Sequence, residues 1–156
     1  MPDLSANHTS FVIERRLNAS PERVFAAFAS AQAKEAWFSG PPGWAVLENR
    51  MDFRVGGEEV NRVKPPGGPV HRMDAVYMDI VEARRIVFAY AMYVGDVRLS
   101  ASLTTIELSP ADGGTRLRFT EQGAFLDGHE DPAERERGTR FLMEALAAAV
   151  ESAVSA

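Results

Sequence analysis

The side chains best suited to chemistry are few and widely spaced. His71 lies beside Met73 in an alternating apolar stretch. An imidazole there, with an ordinary pKa of about 6.5, serves as a pocket hydrogen-bond donor or a proton acceptor; the other reading is a surface or structurally satisfied histidine. Asp52 and Arg54 alternate with Phe53 and Val55, so a strand would put both charges on one face, as a surface ion pair. Turned inward, Arg54 could clamp a carboxylate or enolate, with Glu58, Glu59 or Asp79 as the base. His129 stands in Asp127-Gly-His-Glu-Asp131, but the spacing matches no established metal site, and a solvated loop ahead of a helix cap accounts for it. No metal and no cofactor is expected. Gly56-Gly57 follows no strand-to-helix turn and lacks Gly-Lys-Ser or Gly-Lys-Thr, so it is not a phosphate loop. No nucleophile elbow is recognisable, and a chain without cysteine has no thiol nucleophile, disulfide or thiolate metal site.

Binding is better represented than catalysis. Trp37, Phe38, Trp44, Phe53, Met73, Tyr77, Phe88, Tyr90 and Met92 supply the aromatic and aliphatic surface that lines pockets for apolar ligands, with His71 as a polar member. Phe141, on the last helix, completes the candidate lining. Ordinary core packing is the alternative for each residue taken singly.

These residues need a scaffold, and the local signals outline one. Phe11, Ile13 and Leu17 fall on one face of a first strand, against Val12, Glu14 and Arg16. Ser20 can cap a helix that starts at Pro21, with Glu22 near the positive end of its dipole. Ser30 can cap a second short helix carrying Ala33, Ala36 and Trp37. Two prolines and two glycines in Phe38–Trp44 then end helical structure. Leu47 to Val60 and Val70 to Val81 read as strands joined by the loop Lys64-Pro-Pro-Gly-Gly-Pro69, with a bulge or bend at Gly56-Gly57. Arg85–Tyr93, Leu99–Leu108 and Thr115–Gln122 continue the strands, the last after the turn Pro110–Gly114. Asp131 can cap a long helix opened by Pro132, with Phe141, Leu142, Ala145, Leu146, Ala149, Val150 and Ala153 as one stripe.

That order is α+β, six or seven antiparallel strands with one long helix to cover their concave face. A sheet bent around a helix ~30 Å long leaves room for a cleft bounded by the aromatic loop.

The totals agree. The 156 residues suit one domain, 1–156, with residues 1–9 expected as a flexible arm. Hydrophobic residues at 46% and charged residues at 25% match a globular chain that folds alone. No apolar run approaches ~18 residues, so no membrane insertion is expected. The start carries no export-signal pattern, and a cytoplasmic location is expected. A net charge of −5 with scattered basic residues disfavours nucleic acid and anionic membranes. Exposed strand edges and aromatic loops make a homodimer reasonable.

The segments Val12-Ile-Glu-Arg-Arg16, Ala19-Ser-Pro-Glu-Arg-Val-Phe25, Trp37-Phe38, Asp52-Phe-Arg-Val-Gly-Gly57, Tyr77-Met-Asp-Ile80, Arg85-Ile-Val-Phe88 and Thr115-Arg-Leu-Arg-Phe119 carry a resemblance in order and spacing. Through them the chain resembles the activator-of-Hsp90-ATPase homologue group of the START and Bet v 1-like superfamily, over roughly residues 10 to 152. It departs at Gly138-Thr139, where the family often has Gly-Trp, and at Tyr90, where a Trp is common. The resemblance implies a helix-grip fold and an apolar small-molecule ligand. It also implies two alternatives, a chaperone of the Hsp90 type as partner, or a polyketide cyclase or hydrolase-like activity.

Overall fold

The computed structural model describes residues 4–152. β1 (Ala6–Leu17) is followed by α1 (Pro21–Ala26) and α2 (Ala31–Glu35), then by six strands. These are β2 (Ala45–Met51), β3 (Glu58–Lys64), β4 (His71–Val81), β5 (Arg85–Val94), β6 (Val97–Ala111) and β7 (Gly114–Leu126). α3 (Pro132–Ser152) closes the chain. All seven strands join one antiparallel sheet in the order β1-β7-β6-β5-β4-β3-β2. This is the α+β arrangement expected from the element order and the helix-grip architecture that the resemblance implies.

The helix starts follow their capping residues. The Ser20 hydroxyl accepts from the Arg23 amide at 3.2 Å, the Ser30 hydroxyl from that of Ala33 at 3.1 Å, and the Asp131 carboxylate from that of Ala133 at 3.0 Å. Each satisfies an amide that the first turn leaves without a helical partner.

Three expectations need correction. β1 begins at Ala6 and pairs with β7 along its whole length, so residues 6–9 belong to the sheet and not to an arm. Residues 47–60 form parts of two strands, because the chain reverses between Met51 and Glu58. Gly57 stands where a Cβ would lie 2.0 Å from the Asp52 carbonyl oxygen, and Gly56 has φ +84°, so the two glycines make a turn. Phe141 projects into solvent, 74% exposed. The buried stripe of α3 is Thr139, Met143, Leu146, Ala147 and Val150, and at 100° per residue Phe141 falls outside it. Ala153 lies outside the described residues.

α3 is anchored through its second half. Leu146 is fully buried and Val150 nearly so. Arg15 of β1 bridges to Glu144, the Asn18 amide donates to the Glu151 carboxylate at 2.8 Å, and Arg23 Nε donates to the Val150 carbonyl at 3.0 Å. Leu146→Ala is expected to lower the unfolding free energy by about 2–5 kcal/mol. Phe141→Ala is expected to change it by less than about 0.5 kcal/mol; urea denaturation of the two variants checks both.

Candidate functional site

The first half of α3 stands off the sheet and roofs a cavity of about 690 Å³. Alternation along four neighbouring strands aims the floor inward: His71 and Met73 of β4, Phe88, Tyr90 and Met92 of β5, Thr104 and Ile106 of β6, and Phe119 and Glu121 of β7. Phe28, Lys34, Trp37 and Phe38, from α2 and the segments flanking the two short helices, form one side wall. Trp37 is fixed there by its indole N–H, which donates to the Ala27 carbonyl at 3.0 Å, and by an edge-on contact with Phe28. Arg135, Gly138, Thr139, Leu142 and Met143 of α3 complete the roof, and the exposed His129, Glu134 and Gly138 mark the mouth.

Two buried ionic clusters border this apolar space. In the first, Lys34 Nζ donates to both oxygens of Glu59, at 2.8 and 3.0 Å, and the Tyr77 hydroxyl donates to the same carboxylate at 2.5 Å. Lys34 and Glu59 are only 6% and 1% exposed, and the ammonium also lies 4.8 Å from the Phe38 ring centroid. Burial, with the adjacent Glu59 charge, pushes the Tyr77 pKa up, which keeps that phenol a donor. Paired and hydrogen-bonded, these charges escape the cost of isolated ions in an apolar interior.

The second cluster centres on Glu121, 3% exposed. Its Oε1 accepts from the Tyr90 hydroxyl at 2.9 Å and from Thr104 Oγ1 at 3.3 Å. Arg135 Nη1 donates to the Tyr90 oxygen at 2.9 Å, and Nη2 donates to Ser100 Oγ at 2.9 Å and to Glu130 Oε1 at 2.7 Å. Burial opposes the Arg135 cation, but Tyr90, Glu130 and Glu121 hold its pKa above the ordinary value. Burial likewise raises the Tyr90 pKa, reinforced by the Glu121 charge. For Glu121 burial outweighs the Arg135 charge and the two hydroxyl donors, so its pKa is raised. Its Oε2 has no hydrogen-bond partner; Arg135 Nη1 is 3.7 Å away.

Of the residues singled out in the sequence, Trp37, Phe38, His71, Met73, Phe88, Tyr90 and Met92 come together in the cavity wall. His71 is half-buried there, its pKa lowered by desolvation. Four others do not line it. Trp44 packs edge-on against His71 from outside the lining. Phe53 is wedged between Phe25 and Tyr77, and Tyr77 is committed to Glu59, so both belong to packed core. Phe141 faces solvent on the far side of α3. Arg54 does not turn inward: its guanidinium pairs with Asp52 at 2.7 Å on the surface, since residues 52–57 form a turn. Glu58 is exposed, Asp79 bonds Arg85 at 2.6 Å, and Glu59 is held by Lys34. None of the three faces the cavity. Among the described residues no group of three or more His, Cys, Asp or Glu could hold a metal ion, and no helix is long and apolar enough to cross a membrane.

Sequence reasoning passed over Lys34, Glu121 and Arg135 as site residues. For two of them a signal existed. Glu121 continues the inward series Thr115, Leu117, Phe119, and Arg135 lies four residues before Thr139 and eight before Met143, on the buried stripe.

Comparison with known proteins gives a family and a set of structures. The description "Activator of Hsp90 ATPase homolog 1-like protein" matches residues 18–151. An uncharacterized protein from Rhizobium leguminosarum is 43% identical, with a TM-score of 0.91 over 96% of this chain and 99% of the other. The Mll3558 protein from Rhizobium loti is 51% identical, with a TM-score of 0.87 over 93% and 99%. Protein CV1439 from Chromobacterium violaceum is 31% identical, with a TM-score of 0.75 over 91% and 96%. No curated protein matches.

The raised pKa of Glu121 sets a pH dependence. At and below the ordinary carboxylate value of 4.5 the folded and unfolded states both tend to hold the proton. As pH rises from there through the raised folded value, the unfolded chain ionises more readily, and stability is lost. Glu121→Gln removes that loss, so its melting temperature relative to the parent is expected to rise with pH from about 4.5 upward and to level off once the folded-state carboxyl has ionised. A difference that is flat across this window counts against burial as the dominant influence on Glu121.

Proposed function

The chain belongs to the activator of Hsp90 ATPase homolog 1-like family of the START and Bet v 1-like superfamily, and from that membership and the cavity we propose that it binds an apolar or amphipathic small molecule between sheet and C-terminal helix. The observation that carries this reading is the cavity: about 690 Å³, walled by Phe28, Trp37, Phe38, Phe88, Met92, Ile106, Phe119 and Leu142, with a small set of fixed polar groups. Volume and lining both fall in the range of small-molecule sites. Lys34, Tyr90, Thr104 and Arg135 are already hydrogen-bonded within the protein, so an apolar occupant strands none of these four.

Gly138 adds to the case. A glycine inside a helix costs about 0.5–1 kcal/mol relative to alanine, and a Cβ here would meet nothing within 4 Å. Packing does not require the glycine, whereas a side chain at this position would intrude on the mouth.

A polyketide cyclase-like or hydrolase-like role retains His71 in the wall but loses Arg54, which is on the surface. A chaperone-binding role rests on the family description alone.

N-phenyl-1-naphthylamine, a neutral probe that fluoresces in apolar surroundings, is expected to bind with one-site stoichiometry. Gly138→Leu is expected to weaken that binding about tenfold or more while raising stability by about 0.5–1 kcal/mol. Absence of probe binding, or an affinity unaffected by Gly138→Leu, would count against a ligand site under α3.

A further inference from the structure

Taking the ligand-binding reading as its basis, we infer that the occupant carries a hydrogen-bond-donor headgroup, a hydroxyl or an ammonium, directed at Glu121, and that aliphatic carboxylates are rejected.

The inference starts from the one incomplete bond in the wall. Glu121 is 3% exposed and lines the cavity, yet its Oε2 has no donor. Buried carboxylate oxygens are costly when unpaired. The nearest cation is already spent, because Arg135 donates to Tyr90, Ser100 and Glu130, and its Nη1 stays 3.7 Å from Oε2. Oε2 is covered in this arrangement, so a hydroxyl or ammonium completes the carboxylate on a small rotation of the Glu121 side chain, whereas a ligand carboxylate meets like charge.

The charges of the wall act in the same sense. The lining contains the cations Lys34 and Arg135 against the carboxylates Glu121, Glu130 and Glu134. Lys34 is neutralised by Glu59, which lies outside the lining. No cation is left over for an anion in the way that an uncommitted arginine would serve a fatty acid. Of the imidazoles, His129 is exposed at the mouth, and His71 is disfavoured as a cation by desolvation. An entering acid passes Glu134 and Glu130 before meeting Glu121, with like-charge repulsion strengthened by low-dielectric walls.

Matched ten-carbon probes isolate the headgroup. Decan-1-ol, decylammonium and decanoate are titrated against the full chain carrying N-phenyl-1-naphthylamine, at about pH 8, where an ordinary imidazole is neutral. The alcohol and the ammonium are each expected to displace the probe at a concentration about tenfold or more below that for decanoate. Glu121→Gln is expected to reduce that gap to about threefold or less by improving decanoate binding. Should Glu121→Gln not fold, Glu134→Gln at the exposed mouth is expected to narrow the gap in the same direction. Decanoate binding as tightly as either donor, or a gap untouched by these substitutions, overturns the headgroup assignment while leaving the cavity reading intact. Failure of the naphthylamine itself to bind removes the cavity reading and this inference with it, whereas naphthylamine binding that neither the alcohol nor the ammonium displaces overturns the headgroup assignment alone.

Discussion

The structure turns on a mismatch of widths. Seven strands at about 4.8 Å spacing present a sheet roughly 30 Å across, before curvature, and one α-helix with its side chains is about 10–12 Å wide. A single helix therefore cannot cover the concave face. α3 packs along the β1 side of the sheet through Leu146 and Val150, and α1 and α2 cover another part with Val24 and the segment carrying Phe28 and Trp37. The uncovered remainder, over β4 to β7, is the cavity. Its position follows from the fold before any particular side chain is considered.

Why the side chains do not simply close the gap is a separate question. A dry void of 690 Å³, at about 24 cal/mol per Å³, would cost about 17 kcal/mol, comparable to the whole stability of a typical domain. Such a space is sustainable only if solvent or a ligand can occupy it. The lining is arranged accordingly. Its cations are committed to partners within the protein: Lys34 to Glu59, Arg135 to Tyr90, Ser100 and Glu130. Those bonds fix α2 and α3 on the sheet at defined separations, where longer apolar side chains would favour collapse onto the floor.

Much of the frame was legible because its signals are local. Ser20, Ser30 and Asp131 announced their helices within a few residues, and Phe11, Ile13 and Leu17 showed which face of β1 is buried. The β2–β3 hairpin was not legible. The outer strand β2 lacks a fully buried residue, so no alternation separated it from its neighbour, and Gly56-Gly57 read as a bulge when it is a turn. Seven of the aromatic, histidine and methionine residues proposed for the wall do line it. Phe141 failed on phase, since it sits next to Leu142 in sequence but about 100° away around the helix. The ionic clusters divide in the same manner. Glu121 and Arg135 each break an apolar series of their own element, which is a local signal. Lys34 sits in a helix of five residues, too short to define a face, and its partner Glu59 is 25 residues away. That pairing exists only once the sheet has formed.

α3 thus contains two helices' worth of behaviour in one element. From Met143 onward it is held by buried apolar side chains, and that half belongs to the fold. Before Met143 it is held at a distance by a guanidinium whose bonds to Tyr90 and Ser100 have fixed lengths, with an unobstructed glycine one turn further on. Apolar contacts are tolerant of small displacements, whereas hydrogen bonds weaken steeply once their geometry is lost. The height of the roof over the floor is therefore set by Arg135 more firmly than by Leu142 or Thr139. The dimensions of the cavity and its charge come from the same residue pair, Arg135 and Glu121. A change at either alters what the space can hold while leaving the Leu146 half of the helix, and with it the architecture, in place.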